Sequence, residues 1–232
     1  MSRRKTTPVR LVVFDCDGTL IDSQHMIVTA MTRAFRAQRL APPPPATVCR
    51  MVGLSLSQGI VHLAPDASLE TCVAITDAYR QAFARMRADG DDDEPLFPGA
   101  RAALDTLTRA GWILGLATGK GRLGVENSLG THGILARFAT IQTADDAPGK
   151  PDPAMLLQAM AAVGAEPSGT VLVGDTTYDM EMAVRARVAA VGVAWGYHQA
   201  DELGPAGACA VIRDFAELAP LVRRLVDGET VL

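Results

Sequence analysis

No apolar run in this 232-residue chain approaches the length a membrane-spanning helix needs. Its four cysteines, Cys16, Cys49, Cys72 and Cys209, stand far apart without a Cys-x-x-Cys pair. Neither a zinc knuckle nor a disulfide framework is therefore indicated. The formal net charge is −4 and the pI about 5.6, and the clustered basic face that marks a nucleic-acid binder is missing. Residues 1–7 are basic, but a strand-length apolar run holding two acids follows them, where a signal peptide would place its apolar core and cleavage site. They are expected to form a solvated tail. No internal repeat is found. These absences point to a cytoplasmic protein without a membrane or nucleic-acid partner, and they leave its oligomeric state open.

What is present is an ordinary globular composition. Hydrophobic residues make up 48% of the chain and charged residues 21%, enough to bury a core. The length suits one α/β domain with a modest insertion. Near the start, residues 12–23 read Val-Val-Phe-Asp-Cys-Asp-Gly-Thr-Leu-Ile-Asp-Ser. An apolar strand there ends in two acids, which places them where an open α/β sheet keeps its site. Alternation sends Asp15 and Asp17 to one side and Cys16 to the other. Two converging carboxylates call for a cation, or for a division of labour between acid and base. Taken alone, Asp-x-Asp-Gly is equally an ordinary capped turn.

The next stretch is helical throughout. Apolar spacing predicts helices over residues 23–41, 48–63 and 68–88, with a proline run at 42–45 and a break at Gly53-Leu54-Ser55. Residues 23–90 are expected to form a helical domain inserted into a core made of residues 8–22 and 91–232. The acidic run at 89–95 is expected to be a solvated linker. From residue 98 helix and strand alternate, with strands near 112–117, 138–142, 170–173, 188–193 and 210–212. Helices are expected at 100–110, 121–132, 153–163, 178–187 and 215–226. This pattern predicts a Rossmann-like, mostly parallel sheet covered on both faces.

Three further strand ends carry candidate chemistry. Thr118-Gly119-Lys120-Gly121 offers a hydroxyl and free amides to a phosphate, or a plain helix cap. Lys150, held between a loop and Pro151, offers a positive charge. Gly174-Asp175 and Asp179 supply hard oxygen donors suited to Mg²⁺, although both acids also serve as helix-end charges.

Together Asp15-Cys16-Asp17-Gly18-Thr19, Thr118-Gly119, Lys150-Pro151 and Gly174-Asp175-x-x-x-Asp179 resemble, in order, the motifs of the haloacid dehalogenase superfamily. The match is to its branch with a helical cap after the first motif, and within that to the phosphoglycolate phosphatase group. The resemblance implies Asp15 as a nucleophile that becomes an aspartyl phosphate and Asp17 as general acid and base. It implies Lys150, Thr118, Gly119 and Gly18 around the phosphate. Mg²⁺ would be held by Asp15, Asp175 and the Asp17 backbone carbonyl, with Asp179 contributing directly or through a water. Substrate selectivity would fall to His25, Arg50, Gly53, Leu54, Ser55 and Lys120, the last standing where many relatives differ. Dehalogenases and phosphonatases of the superfamily carry another residue at the position of Asp17, so phosphate ester or anhydride chemistry is implied. The expected activity is hydrolysis of a small phosphorylated metabolite. A phosphomutase of β-phosphoglucomutase type, an inorganic pyrophosphatase and a non-catalytic phosphate-binding module are the alternatives.

Overall fold

The computed structural model describes residues 8–228; the basic tail expected at 1–7 lies outside the described residues, as do 229–232. Strand β1, Leu11–Phe14, is buried at every position. Val12 and Phe14 pack with Leu104, Leu107, Leu221 and Val222 on one face. Leu11 and Val13 pack with Met155, Leu156, Met180 and Ala183 on the other. One short strand thus feeds both apolar layers, which is why its sequence is a continuous apolar run.

Four helices follow: α1 Gln24–Ala37, α2 Pro45–Arg50, α3 Leu56–Leu63 and α4 Leu69–Ala88. Ile27, Met31 and Phe35 of α1 meet Ile60 of α3 and Cys72 and Ile75 of α4, forming an apolar cluster separate from the sheet's. The proline run ends inside α2, whose first residue is Pro45, where a missing amide costs nothing. The break before α3 is a capping box, in which Ser55 and Gln58 exchange side-chain and backbone hydrogen bonds.

The remaining elements are α5 Ala100–Arg109, β2 Ile113–Thr118, α6 Arg122–Thr131, β3 Thr140–Thr143 and α7 Ala154–Val163. Then come β4 Thr170–Gly174, α8 Thr177–Ala186, β5 Ala189–Val193, α9 Ala200–Ala206, β6 Ala210–Ile212 and α10 Leu218–Asp227. The six strands run in the order β3-β2-β1-β4-β5-β6, and every pairing is parallel. The doubly wound order places β1 between β2 and β4, with Phe14 level with Leu116 and Val173. Residues just past these three strands consequently share one edge, at the point where the winding reverses.

Two local differences from the sequence reading stand out. Helix α9 is unforeseen because Gly204 and Pro205 interrupt its pattern; its N-terminus is fixed by a capping box between Gln199 and Glu202. The acidic run is not uniformly solvated: Asp89, Asp91 and Asp93 are exposed, but Glu94 is only 5% exposed. Among the described residues no helix is long and apolar enough to cross a membrane.

Candidate active site

Asp15 leaves β1, Asp175 follows β4, and Asp179 lies in the first turn of α8. All three are buried, and each offers a carboxylate oxygen within 4.8 Å of the others. Lys150, with 0% exposure, sets its ammonium 2.8 Å from Asp15 Oδ1 and 2.6 Å from Asp179 Oδ1. Backbone amides and hydroxyls hold most of the carboxylate oxygens in place. The Cys16 amide donates to Asp15 Oδ1 at 2.7 Å. Thr19 Oγ1 donates to Asp175 Oδ1 at 2.8 Å, and the Tyr197 amide to its Oδ2 at 2.9 Å. Thr176 gives Asp179 Oδ2 its hydroxyl at 2.7 Å and its amide at 3.1 Å. Gly18 makes this packing feasible: its φ is +81°, and a Cβ there would fall 2.3 Å from Asp175 Oδ2.

One ammonium does not balance three buried carboxylates. Burial pushes Asp15 up to about 7 despite Lys150, with Asp179 adding to the rise. Burial, then the charges of Asp15 and Asp179, hold Asp175 well above the usual carboxylate range. Asp15 Oδ2 is buried without a hydrogen-bond partner. A hard divalent cation held by these oxygens would relieve both conditions, so the donor set fits one.

Asp17 lies on the same side but makes a different set of contacts. Its Oδ1 accepts from Ser23 Oγ at 2.6 Å and from Lys120 Nζ at 2.7 Å. Lys120 also reaches Glu94 Oε1 at 3.1 Å. Glu94 in turn is bonded by Arg87 at the end of α4 and by Ser128 Oγ at 2.8 Å. Burial pulls the Lys120 ammonium down, but Asp17 and Glu94 outweigh it and hold the group above the usual lysine value. Cys16 points into the apolar layer with Val12 and Phe14, and burial with the nearby Asp17 charge pushes its thiol up. Only the Cys16 amide, not its thiol, takes part in the site.

A cavity of about 490 Å³ opens over Asp15 and Asp17. Thr118, Gly119 and Lys120 line it from the core, and Gly53, Leu54 and Ser55 from the helical insert. A Cβ on Gly119 would meet the Leu54 carbonyl oxygen at 2.3 Å, so the bare glycine lets this loop press onto the end of β2. Two expected contacts are not brought in. His25 is exposed, and neither it nor Arg50 lines the cavity. The Arg50 side chain instead pairs with Glu202 of α9, while its carbonyl accepts from His198 Nε2 at 3.1 Å and the Tyr178 hydroxyl at 3.3 Å. Arg50 fastens the insert to the core; the short α2 turns its side chain away from the acids.

Residues 12–193 match the haloacid dehalogenase-like hydrolase family. The chain belongs to that family. It is 34% identical over 218 residues to the Dickeya dadantii protein named "Probable phosphatase IndB", covering 93% of this chain and 94% of that one. The phosphoglycolate phosphatase of Agrobacterium fabrum is 31% identical over 232 residues, with 98% and 97% covered. A solved hydrolase from Pseudomonas syringae superposes with a TM-score of 0.80 at 28% identity, across 93% of this chain and 98% of that one.

Within this haloacid dehalogenase-like hydrolase, sequence reasoning missed Ser23, Thr19 and Tyr197 as partners of the acids, and Glu94 as the second partner of Lys120. Glu94 sat in a run of like charges that reads as solvent-facing. A signal was present: the run ends at Glu94, and Pro-Leu-Phe-Pro follows, turning the chain inward. Tyr197 lies in a stretch between β5 and α9 with no periodicity to mark it.

Proposed function

We propose that the chain is a Mg²⁺-dependent phosphatase that hydrolyses a small phosphorylated metabolite through a phosphoryl group carried on Asp15. The observation that carries this reading is the placement of Asp15 and Asp17 on one side of the cavity, with Lys150 on the first and Lys120 on the second. Two adjacent carboxylates are thereby given different surroundings, which is how a nucleophile and a proton carrier are separated.

In the first displacement an Asp15 oxygen bonds to phosphorus as the bond to the leaving oxygen breaks, and the Asp17 proton passes to that oxygen. In the second, Asp17 takes a proton from water, the water oxygen bonds to phosphorus, and the Asp15–phosphorus bond breaks to release phosphate. Thr118 and the Gly18 and Gly119 backbone would bind the phosphoryl oxygens, and Lys150 would orient Asp15. Asp15, Asp175 and Asp179, with the Asp17 carbonyl, would hold Mg²⁺. The cation would supply charge neutralisation between an anionic nucleophile and an anionic ester, and would keep Asp15 ionised at neutral pH. The helical insert would act as a cap that excludes water from the cavity.

The test is phosphate release from p-nitrophenyl phosphate with and without Mg²⁺, for the wild type and Asp15→Asn. Loss of turnover on the order of 10³-fold or more, with native circular dichroism, is expected of the variant. Undiminished turnover in folded Asp15→Asn would overturn the mechanism.

A further inference from the structure

The cavity that reaches Asp15 has few groups to spare for a second anion. Three cations line it, and each already has acidic company. Lys120 is bound to Asp17 and Glu94, and Arg87 to Glu94. The Phe83 ring lies against both, 5.5 Å from Lys120 Nζ and 5.4 Å from the Arg87 guanidinium. Arg80 has a side chain 65% exposed to solvent, beside Asp77. Among the described residues the lining therefore contributes no uncommitted buried cation to receive the carboxylate of a substrate such as phosphoglycolate. Releasing Lys120 or Arg87 for that purpose would take from buried Glu94 one of the two cations it is paired with.

Beyond the acids, Ser57, Arg80 and Asn127 bring polar groups to the lining, but much of the remaining wall is apolar. Met31, Leu56, Leu63, Tyr79 and Phe83 face the cavity from α1, α3 and α4, and Leu123 faces it from α6. At about 490 Å³ the space lies within the roughly 300–1,000 Å³ of pockets that enclose ligands well beyond two carbons in size. Apolar walls of this extent are stabilised by apolar ligand surface, at about 25 cal/mol per Å² removed from water. Half-buried Tyr79 adds a polar handle to this wall through its hydroxyl. Burial pushes that hydroxyl up, so it remains a neutral donor at physiological pH.

We infer that the preferred substrate is a phosphate monoester whose alcohol carries an uncharged apolar or aromatic body, seated between α1, α3 and α4, and not a short ester bearing a second acid group. This rests on the phosphatase reading above and specifies its substrate class. The small polar esters named for relatives would be accommodated poorly, because their carboxylate would face methyl and ring carbons without a counter-ion.

The experiment is a kcat/KM series with purified full-length protein and Mg²⁺ over methyl, butyl and 2-phenylethyl phosphate, with phosphoglycolate alongside. All release primary alcohols, so differences report the cavity more than the leaving group. At least a tenfold rise from methyl to 2-phenylethyl phosphate is expected, about the discrimination of an apolar pocket for added methylenes. 2-Phenylethyl phosphate should also exceed phosphoglycolate. A flat series, or phosphoglycolate as the best ester, overturns the inference while leaving the phosphatase standing. No phosphate release from any ester overturns both.

Discussion

Lys120 places its ammonium 2.7 Å from Asp17 Oδ1, so the residue proposed to move the proton is paired with a cation supplied by the next strand. The same ammonium is shared with Glu94, and the lysine side chain is only 10% exposed. Lys120→Met would remove the one cation that buried Asp17 and Glu94 share, leaving Asp17 Oδ1 with the Ser23 hydroxyl and Glu94 with Arg87. Such breakage is expected to cost about 3–5 kcal/mol in urea unfolding, and to reduce kcat more than it raises KM. Glu94→Gln should be non-additive with it, with a coupling of about 0.5–3 kcal/mol in a double-mutant cycle. Strict additivity would mean that the three groups do not act as a unit.

His198 gives the fold an acid-side sensitivity. It is buried; its Nδ1 accepts from the Thr177 amide at 3.1 Å, and its Nε2 faces the Arg50 carbonyl at 3.1 Å. A second ring proton would put a donor against the Thr177 amide. Burial lowers His198 from 6.5, the Arg50 charge lowers it further, and the Arg50 carbonyl, Asp179 and Glu202 oppose the change. A histidine depressed in the fold contributes stability that is complete above 6.5 and is lost as pH falls toward the folded value. The stability gap between wild type and His198→Gln should therefore narrow from about pH 7.5 to about pH 5.5, read as urea midpoints. A constant gap would sink the assignment.

Cation removal should matter more in alkali than in acid. Asp15, raised to about 7, contributes to metal-free stability while protonated, fully below the ordinary aspartate value. That contribution is lost as pH rises through about 7. Mg²⁺ at about 100 times its dissociation constant should add about 2.7 kcal/mol to unfolding, and should shift Tm more at about pH 8 than at about pH 6. Chelation should abolish turnover. Asp175→Asn should weaken the Tm shift without needing any substrate to show it.

Gly119→Ala tests the seat of the loop at residues 53–55. The added Cβ would clash with a backbone carbonyl oxygen at 2.3 Å, which has no rotamer by which to escape. A stability loss of about 1–3 kcal/mol is expected, together with a fall in kcat/KM toward p-nitrophenyl phosphate. Unchanged kcat/KM would show that the loop's docking is irrelevant to turnover.

The strand ends were readable because β1, β2 and β4 are short apolar runs that stop abruptly at polar residues, and pairing brings those stops together. Asp15, Asp17, Thr118 and Asp175 stand at these ends and Asp179 four residues past the last, while Lys150 is marked instead by the proline that follows it in the loop after β3. The sequence shows the charge of Lys120 but not its partners, since nothing local relates residue 120 to residues 17 and 94. His25 and Arg50 lie near the insert's hinge and loop in sequence, which fixes where a backbone goes but not where a side chain points. Glu94 and Tyr197 depend wholly on long-range folding: each acts from a segment whose own composition reads as loop.

The four residues of β1 are shared by both apolar layers, whereas the loop at 53–55 hangs from helices with an apolar cluster of their own. A library randomised at Leu56, Leu63 and Tyr79 should accordingly yield many folded proteins with altered appetites. One randomised at Val12, Val13 and Phe14 should yield mostly aggregates. The chain is in effect a fixed engine with an exchangeable intake, and a protein engineer can work on the second without opening the first.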